Sequence, residues 1–134
     1  MVKNDRYSSL IEKALTVRKN AHAPYSGFKV GAAILGESGT IYTGCNIENS
    51  SYGMTLCAER AAVAKAVSEG EKSFEAIAIA GDTKKPVPPC GACRQVLAEF
   101  NPGMTVIMAT VTGECTVRSL KELFPHPFSR RDLS

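Results

Sequence analysis

The chain predicts an α/β protein: a three-layer α/β/α sandwich around a mixed five-stranded sheet. Three observations carry this. Strand-like runs alternate with helical ones, which places helices on the faces of a sheet. Two of the later strand runs, residues 74–80 and 104–110, are almost wholly apolar, as strands buried on both faces are. An early pair of strands is joined by a tight turn, so part of the sheet is antiparallel and the sheet as a whole is mixed. No internal repeat, linker or low-complexity segment interrupts the order, and 134 residues suit one domain spanning 1–134.

Taken in order, residues 5–22 predict an amphipathic helix. Leu10, Ile11, Ala14, Leu15 and Val17 recur at helical spacing, with Glu12, Lys13, Arg18 and Lys19 between them. Pro24 and Gly27 break it. Residues 28–35 and 40–45 read as the two strands of a hairpin around Gly36-Glu37-Ser38-Gly39. Residues 46–53 are polar and turn-rich, a natural place for binding groups between a strand and a helix. Residues 57–68 predict a second helix, so poor in charge that most of its sides must be buried. Gly70 ends it. The strand at 74–80 follows, then a loop over 81–89 with three prolines, then a third helix at 91–100 closed by Asn101-Pro102-Gly103. After the strand at 104–110 come a short strand at 115–117 and one helical turn at 119–124. The tail, residues 125–134, has little pattern.

Composition excludes several classes of function. Hydrophobic residues make up 44% and charged residues 22%, ordinary for a soluble globular protein. A scattered formal charge of +3 gives no electrostatic footprint for nucleic acid. No apolar run approaches the roughly 20 residues of a membrane span. The opening, Met1-Val2-Lys3-Asn4-Asp5-Arg6, lacks a signal peptide's apolar segment, so a cytoplasmic location is expected. Thiols stay reduced there, and five cysteines, an odd number, cannot all pair within the chain. Clustered cysteines then point to metal or catalysis.

Cys90 and Cys93 form a C-x₂-C pair at the start of the third helix. The helix N-terminus favours thiolate over thiol, and the spacing turns both sulfurs toward one point. Cys57, at the start of the second helix, supplies a third thiolate. A structural zinc site needs four protein ligands. The other candidates, Cys45, Cys115, His22 and His126, lie outside any metal-spaced pair. Three ligands leave an open position, the mark of a catalytic zinc site. Glu59 follows Cys57 by two residues, in reach of that open position. A carboxylate in a first helical turn ordinarily complements the helix dipole; beside an open zinc position it reads as a general acid/base. Zinc with three thiolates leaves the cluster net negative, which opposes ionisation of a bound water. Arg60 is the candidate to draw charge off the sulfurs.

Cys57-Ala58-Glu59 with Pro89-Cys90-Gly91-Ala92-Cys93-Arg94-Gln95 resembles the zinc signature of the cytidine deaminases, a class in which zinc-activated water attacks a base. The resemblance extends to Tyr25-Ser26-Gly27-Phe28-Lys29-Val30-Gly31-Ala32-Ala33, to Gly44-Cys45-Asn46-Ile47-Glu48-Asn49 and to the tail segment from Phe124-Pro125 to Phe128, where His126-Pro127 replaces smaller residues. It covers essentially the whole chain and matches the small homotetrameric branch. What it implies is specific. One Zn²⁺ per chain is held by Cys57, Cys90 and Cys93, with Glu59 as the proton shuttle and Arg60 bonded to the thiolates. Asn46 and Glu48 bind the ribose, and Phe28 packs on the pyrimidine. The backbone of Ala58 and Cys90 reads the base edge, and Tyr52 and Phe128 are lent to a neighbouring subunit's site. The expected reaction is hydrolytic deamination of cytidine and 2′-deoxycytidine in pyrimidine salvage, by a homotetramer with shared active sites and no membrane or nucleic-acid partner.

Two rivals differ in what they require. A deaminase of nucleotides or tRNA generally opens its motif with histidine where this chain has Cys57, and a nucleotide site wants a basic clamp that residues 46–52 lack. The antibiotic deaminases share the three cysteines, but Asn46-Ile47-Glu48-Asn49 resembles the nucleoside branch. A structural zinc module that binds protein or nucleic acid needs a fourth ligand and leaves Glu59 without a task.

Overall fold

The computed structural model describes residues 5–133; residues 1–4 and Ser134 lie outside it. The elements run α1 (Asp5–Arg18), β1 (Val30–Gly36), β2 (Ile41–Cys45), α2 (Ala58–Ser68), β3 (Phe74–Gly81), α3 (Gly91–Phe100), β4 (Thr105–Thr110), β5 (Cys115–Ser119) and α4 (Leu120–Leu123). Single 3₁₀ turns lie at Tyr52–Met54, at the end of the polar, turn-rich stretch, and at Arg130–Leu133, in the tail that reads as having little pattern.

The five strands stand in the order β2-β1-β3-β4-β5. β1 is antiparallel to both β2 and β3, β3 and β4 are parallel, and β5 is antiparallel to β4. The hairpin closes with Leu35 opposite Ile41, and Gly39 takes φ +93°, which glycine adopts without steric cost. Because β1, β3 and β4 are covered on both faces, nearly every residue in them is buried. Alternation survives as a division between two cores. Ala33, Leu35, Ala76, Ala78 and Ala80 pack against Leu10 and Ala14 of α1. Ala32, Ile34, Ile77 and Ile79 pack against Ala58, Ala62 and Ala66 of α2 and Leu97 of α3. These are the three layers the sequence predicts.

Two glycines set how closely the layers approach. A Cβ on Gly31 would lie 2.0 Å from the Ala14 carbonyl oxygen, and one on Gly44 would lie 2.4 Å from the Ala62 nitrogen. Both contacts are to helix backbone, which cannot yield as a flexible side chain does. Gly44 therefore lets α2 lie directly on β2, so the start of α2 sits close to the sheet.

The boundaries differ from the sequence reading at a few points. α1 ends at Arg18, not at residue 22: His22 instead pairs with Ile47 as an isolated bridge, its N–H donating to the Asn46 carbonyl (3.0 Å). A long-range strand-like contact takes the backbone groups that a helix would have used. β1 starts at Val30, not Phe28, because the Asn46 side chain accepts from the Val30 N–H (2.9 Å) and donates to the Phe28 carbonyl (2.8 Å). β5 runs on to Ser119, which then caps α4 in a reciprocal capping box with Glu122.

Candidate active site and metal centre

Cys57 is the N-cap of α2 and Cys90 the N-cap of α3; neither makes a side-chain cap bond. Both sulfurs are therefore free to face elsewhere, at the positive ends of two helix dipoles. Cys93, one turn into α3, is fully buried. Cys57 Sγ lies 3.9 Å from Cys90 Sγ, Cys90 Sγ lies 3.5 Å from Cys93 Sγ, and all three lie within 4.8 Å of one another. Sulfurs about 2.3 Å from one tetrahedral ion stand about 3.8 Å apart, so the donor set fits zinc. Among the described residues the metal-compatible group is limited to these three; Cys45, Cys115, His22 and His126 are not part of it.

The electrostatics follow from crowding of ionisable groups. A hydrogen bond from Cys93, assisted by Arg60, draws the Cys57 thiol down to about 5. Cys93 is pushed the other way, as the donor to Cys57 and because it is buried. Arg60 places Nη2 3.5 Å from Cys57 Sγ, and that contact holds its guanidinium more firmly protonated. Its buried Nε has no hydrogen-bond partner among the described residues. Glu59 is only 5% exposed, and burial pushes its carboxyl up to about 7, with the Cys57 thiolate adding to the shift. A carboxylic acid poised near neutrality is suited to giving and taking protons.

These groups open on a cavity of about 220 Å³. Asn46, Thr55, Cys57, Glu59 and Cys90 bring polar groups to its lining, while Phe28, Val30, Leu56, Ile79, Val87 and Pro88 make its apolar walls. Gly81 ends β3 beside Phe28, and a Cβ there would come within 3.2 Å of the ring. Small size at position 81 thus makes room for the aromatic wall. Val87, Pro88 and Gly81 escaped the sequence reading as site residues; the signal available was the loop that runs straight into Cys90.

The structure places the remaining candidates unevenly. Asn46 is buried and lines the cavity while fixing the backbone at Phe28 and Val30. Glu48 faces the adjacent loop: Oε1 accepts from the N–H groups of Tyr25 (2.9 Å) and Ser26 (3.1 Å), and Oε2 accepts from the Ser26 hydroxyl. The Ser26 hydroxyl above all holds the Glu48 carboxyl below its usual range. Tyr52 is 76% exposed, its ring meeting Tyr25 edge to face at 5.9 Å. Phe128 is 59% exposed and does not line the cavity beside its own chain's thiols. Arg94 donates from Nε to the Pro89 carbonyl (2.7 Å) and from Nη1 to the Leu123 carbonyl (2.6 Å), tying the approach to Cys90 and the end of α4 to α3.

Comparison with known proteins bears on this geometry. The family model for the cytidine and deoxycytidylate deaminase zinc-binding region matches residues 4–109. Over 126 residues the chain is 54% identical to the cytidine deaminase of Sporosarcina psychrophila, covering 93% of each. Over 126 residues it is 49% identical to that of Halalkalibacterium halodurans, covering 93% of this chain and 96% of the relative. The crystal structure of cytidine deaminase from Burkholderia pseudomallei matches with a TM-score of 0.88 at 44% identity, over 96% of this chain and 100% of that one. With zinc-compatible thiols at two helix starts and a family match across most of its length, the chain belongs to the cytidine and deoxycytidylate deaminase zinc-binding family.

Proposed function

We propose that this chain is a cytidine deaminase, converting cytidine and 2′-deoxycytidine with water to uridine and 2′-deoxyuridine plus ammonia. The observation that carries the reading is Glu59, buried in the lining of a mostly apolar cavity beside three thiol sulfurs spaced for one ion. Cys57, Cys90 and Cys93 would hold one Zn²⁺ per chain, which supplies Lewis-acid activation of water when bound.

Glu59 takes a proton from the attacking water and delivers it to N3 of the pyrimidine. With the water oxygen bonded to C4, Glu59 carries the proton of the new C4 hydroxyl to the amino group; the C4–N bond breaks, ammonia leaves and C4 becomes a carbonyl. The elevated pKa of Glu59 suits both directions of transfer. Phe28 packs against the base, and the backbone groups of Ala58 and Cys90 meet its edge. Asn46 and Glu48 receive the ribose, chiefly its 3′ hydroxyl. Their existing bonds leave capacity for this: the Asn46 amide has a second N–H, and a carboxylate has about four acceptor positions, of which Glu48 uses three. Arg60 draws charge from the Cys57 sulfur.

The working form is a homotetramer with shared sites, acting in pyrimidine salvage in the cytoplasm. Exposure of Tyr52 and Phe128, neither of them on its own chain's cavity, supports lending both to neighbouring copies. Among the described residues no helix is long and apolar enough to cross a membrane.

An absorbance assay of the zinc-loaded protein with cytidine, deoxycytidine and cytidine monophosphate tests the reading. The two nucleosides should be converted with zinc near one per chain, and the nucleotide should not. Loaded protein that converts neither nucleoside would refute it.

A further inference from the structure

We infer that Gln95 is a positioning residue for the proposed reaction: its side-chain amide sets Phe128 relative to the thiol-bearing helix α3. The inference rests on the reading that Phe128 completes a neighbouring copy's site.

Gln95 Nε2 donates to the Phe128 carbonyl (2.7 Å), and Gln95 Oε1 accepts from the Phe128 N–H (3.2 Å). One primary amide thus satisfies both backbone groups of one residue, as a strand neighbour would. Two bonds in a plane fix the direction of the Phe128 backbone as well as its place, so the ring is aimed outward and stays exposed. Below the clamp, Ser129 and Asp132 lock the next turn: Ser129 N–H donates to Asp132 Oδ2 (2.7 Å), and Asp132 N–H donates back to the Ser129 carbonyl (2.9 Å). Above it, Arg94 holds the Leu123 carbonyl. Adjacent residues of α3 therefore anchor the C-terminal segment at two points.

Gln95 stands two residues after Cys93, on the helix that supplies two of the three thiols. An exposed aromatic in a tail otherwise samples many directions, and stacking on a base needs one of them. The clamp makes that direction a property of α3. Whatever fixes Cys90 and Cys93 in one copy also fixes the aromatic this copy presents to the next. Gln95 touches no reacting atom, so its loss weakens substrate binding and leaves the chemical step alone.

A double-mutant cycle on the zinc-loaded, assembled protein tests this with cytidine as probe. Phe128→Ala should raise KM roughly 5- to 150-fold, the range for loss of one base-stacking aromatic. Gln95→Ala should raise KM about threefold or more at nearly unchanged kcat, and should raise it no further in the Phe128→Ala background. If Phe128→Ala raises KM and Gln95→Ala does not, or if the two effects multiply, Gln95 does not act through Phe128 and the inference fails while the shared-site reading stands. If Phe128→Ala leaves KM unchanged, both fail. Should Gln95→Ala lose the fold, Gln95→Glu carries the same cycle: it keeps the size and the acceptor for the Phe128 N–H but cannot donate to the Phe128 carbonyl.

Discussion

The buried cluster around the thiols and the exposed aromatics are built on opposite plans. In the cluster, Glu59, Ala58 and Cys93 are buried, and each is held by the first turns of α2 or α3 against the sheet. Away from this cavity's lining, Tyr25, Tyr52 and Phe128 are more than half exposed and held by backbone clamps, an edge-to-face pair and short turns. The difference separates two tasks. Proton transfer near neutrality needs a desolvated carboxyl, which one chain can bury by itself. Stacking on a substrate needs open aromatic faces, which a single chain leaves in solvent and a second copy can use.

The sharpest way to break this contrast is in the buried cluster. Glu59→Gln keeps shape and burial but removes the proton carrier. Zinc content and melting behaviour should hold while turnover falls at least about 10²-fold; near-normal turnover would reduce Glu59 to a partner of the helix dipole.

Mixing tests whether the exposed plan belongs to another copy. Glu59→Gln lacks its acid/base but can lend an aromatic, and Phe128→Ala keeps its chemistry but lends none. Refolded together, they should exceed the summed activity of the separately refolded parents at subsaturating cytidine. Activity equal to that sum, with subunit exchange confirmed, would assign Phe128 to its own chain or to no site.

Arg60→Gln probes the charge at the boundary between the regions. Hydrogen bonds to charged groups contribute about 1.5–3 kcal/mol, so turnover should drop about tenfold with zinc retained. The pH–rate profile should move on the side governed by ionisation of water. An unchanged profile at unchanged turnover would make Arg60 a bystander.

The smallest effect concerns the loop that Glu48 holds. Its folded pKa lies below the ordinary carboxylate value of about 4.3, chiefly through the Ser26 hydroxyl, so its ionised form is favoured by folding. That contribution is fully present above the ordinary value and is lost as pH falls through the folded one. Glu48→Gln should therefore melt slightly below the parent at pH 7, with the gap closing as pH falls below the ordinary carboxylate range. A gap that persists undiminished in acid would detach the loss from the charge.

How much of this was legible beforehand depended on how local each determinant is. Apolar runs marked β3 and β4, the Gly36–Gly39 turn marked the hairpin, and the cysteine spacing with Glu59 marked the site, because period, turn chemistry and motif act over a few residues. The sequence by itself thus determined the layer order and the chemistry on offer at two helix starts. Only the tertiary structure decided where α1 stops, since the bridge from His22 to Ile47 competes with helix from 25 residues away. It also decided that three sulfurs meet, that Gly81 yields room to Phe28, and that Gln95 grips the tail at Phe128. Those facts join segments far apart in the chain. No local propensity encodes them; they follow from packing α2 and α3 against one face of the sheet, which brings both helix starts and the tail to the same place.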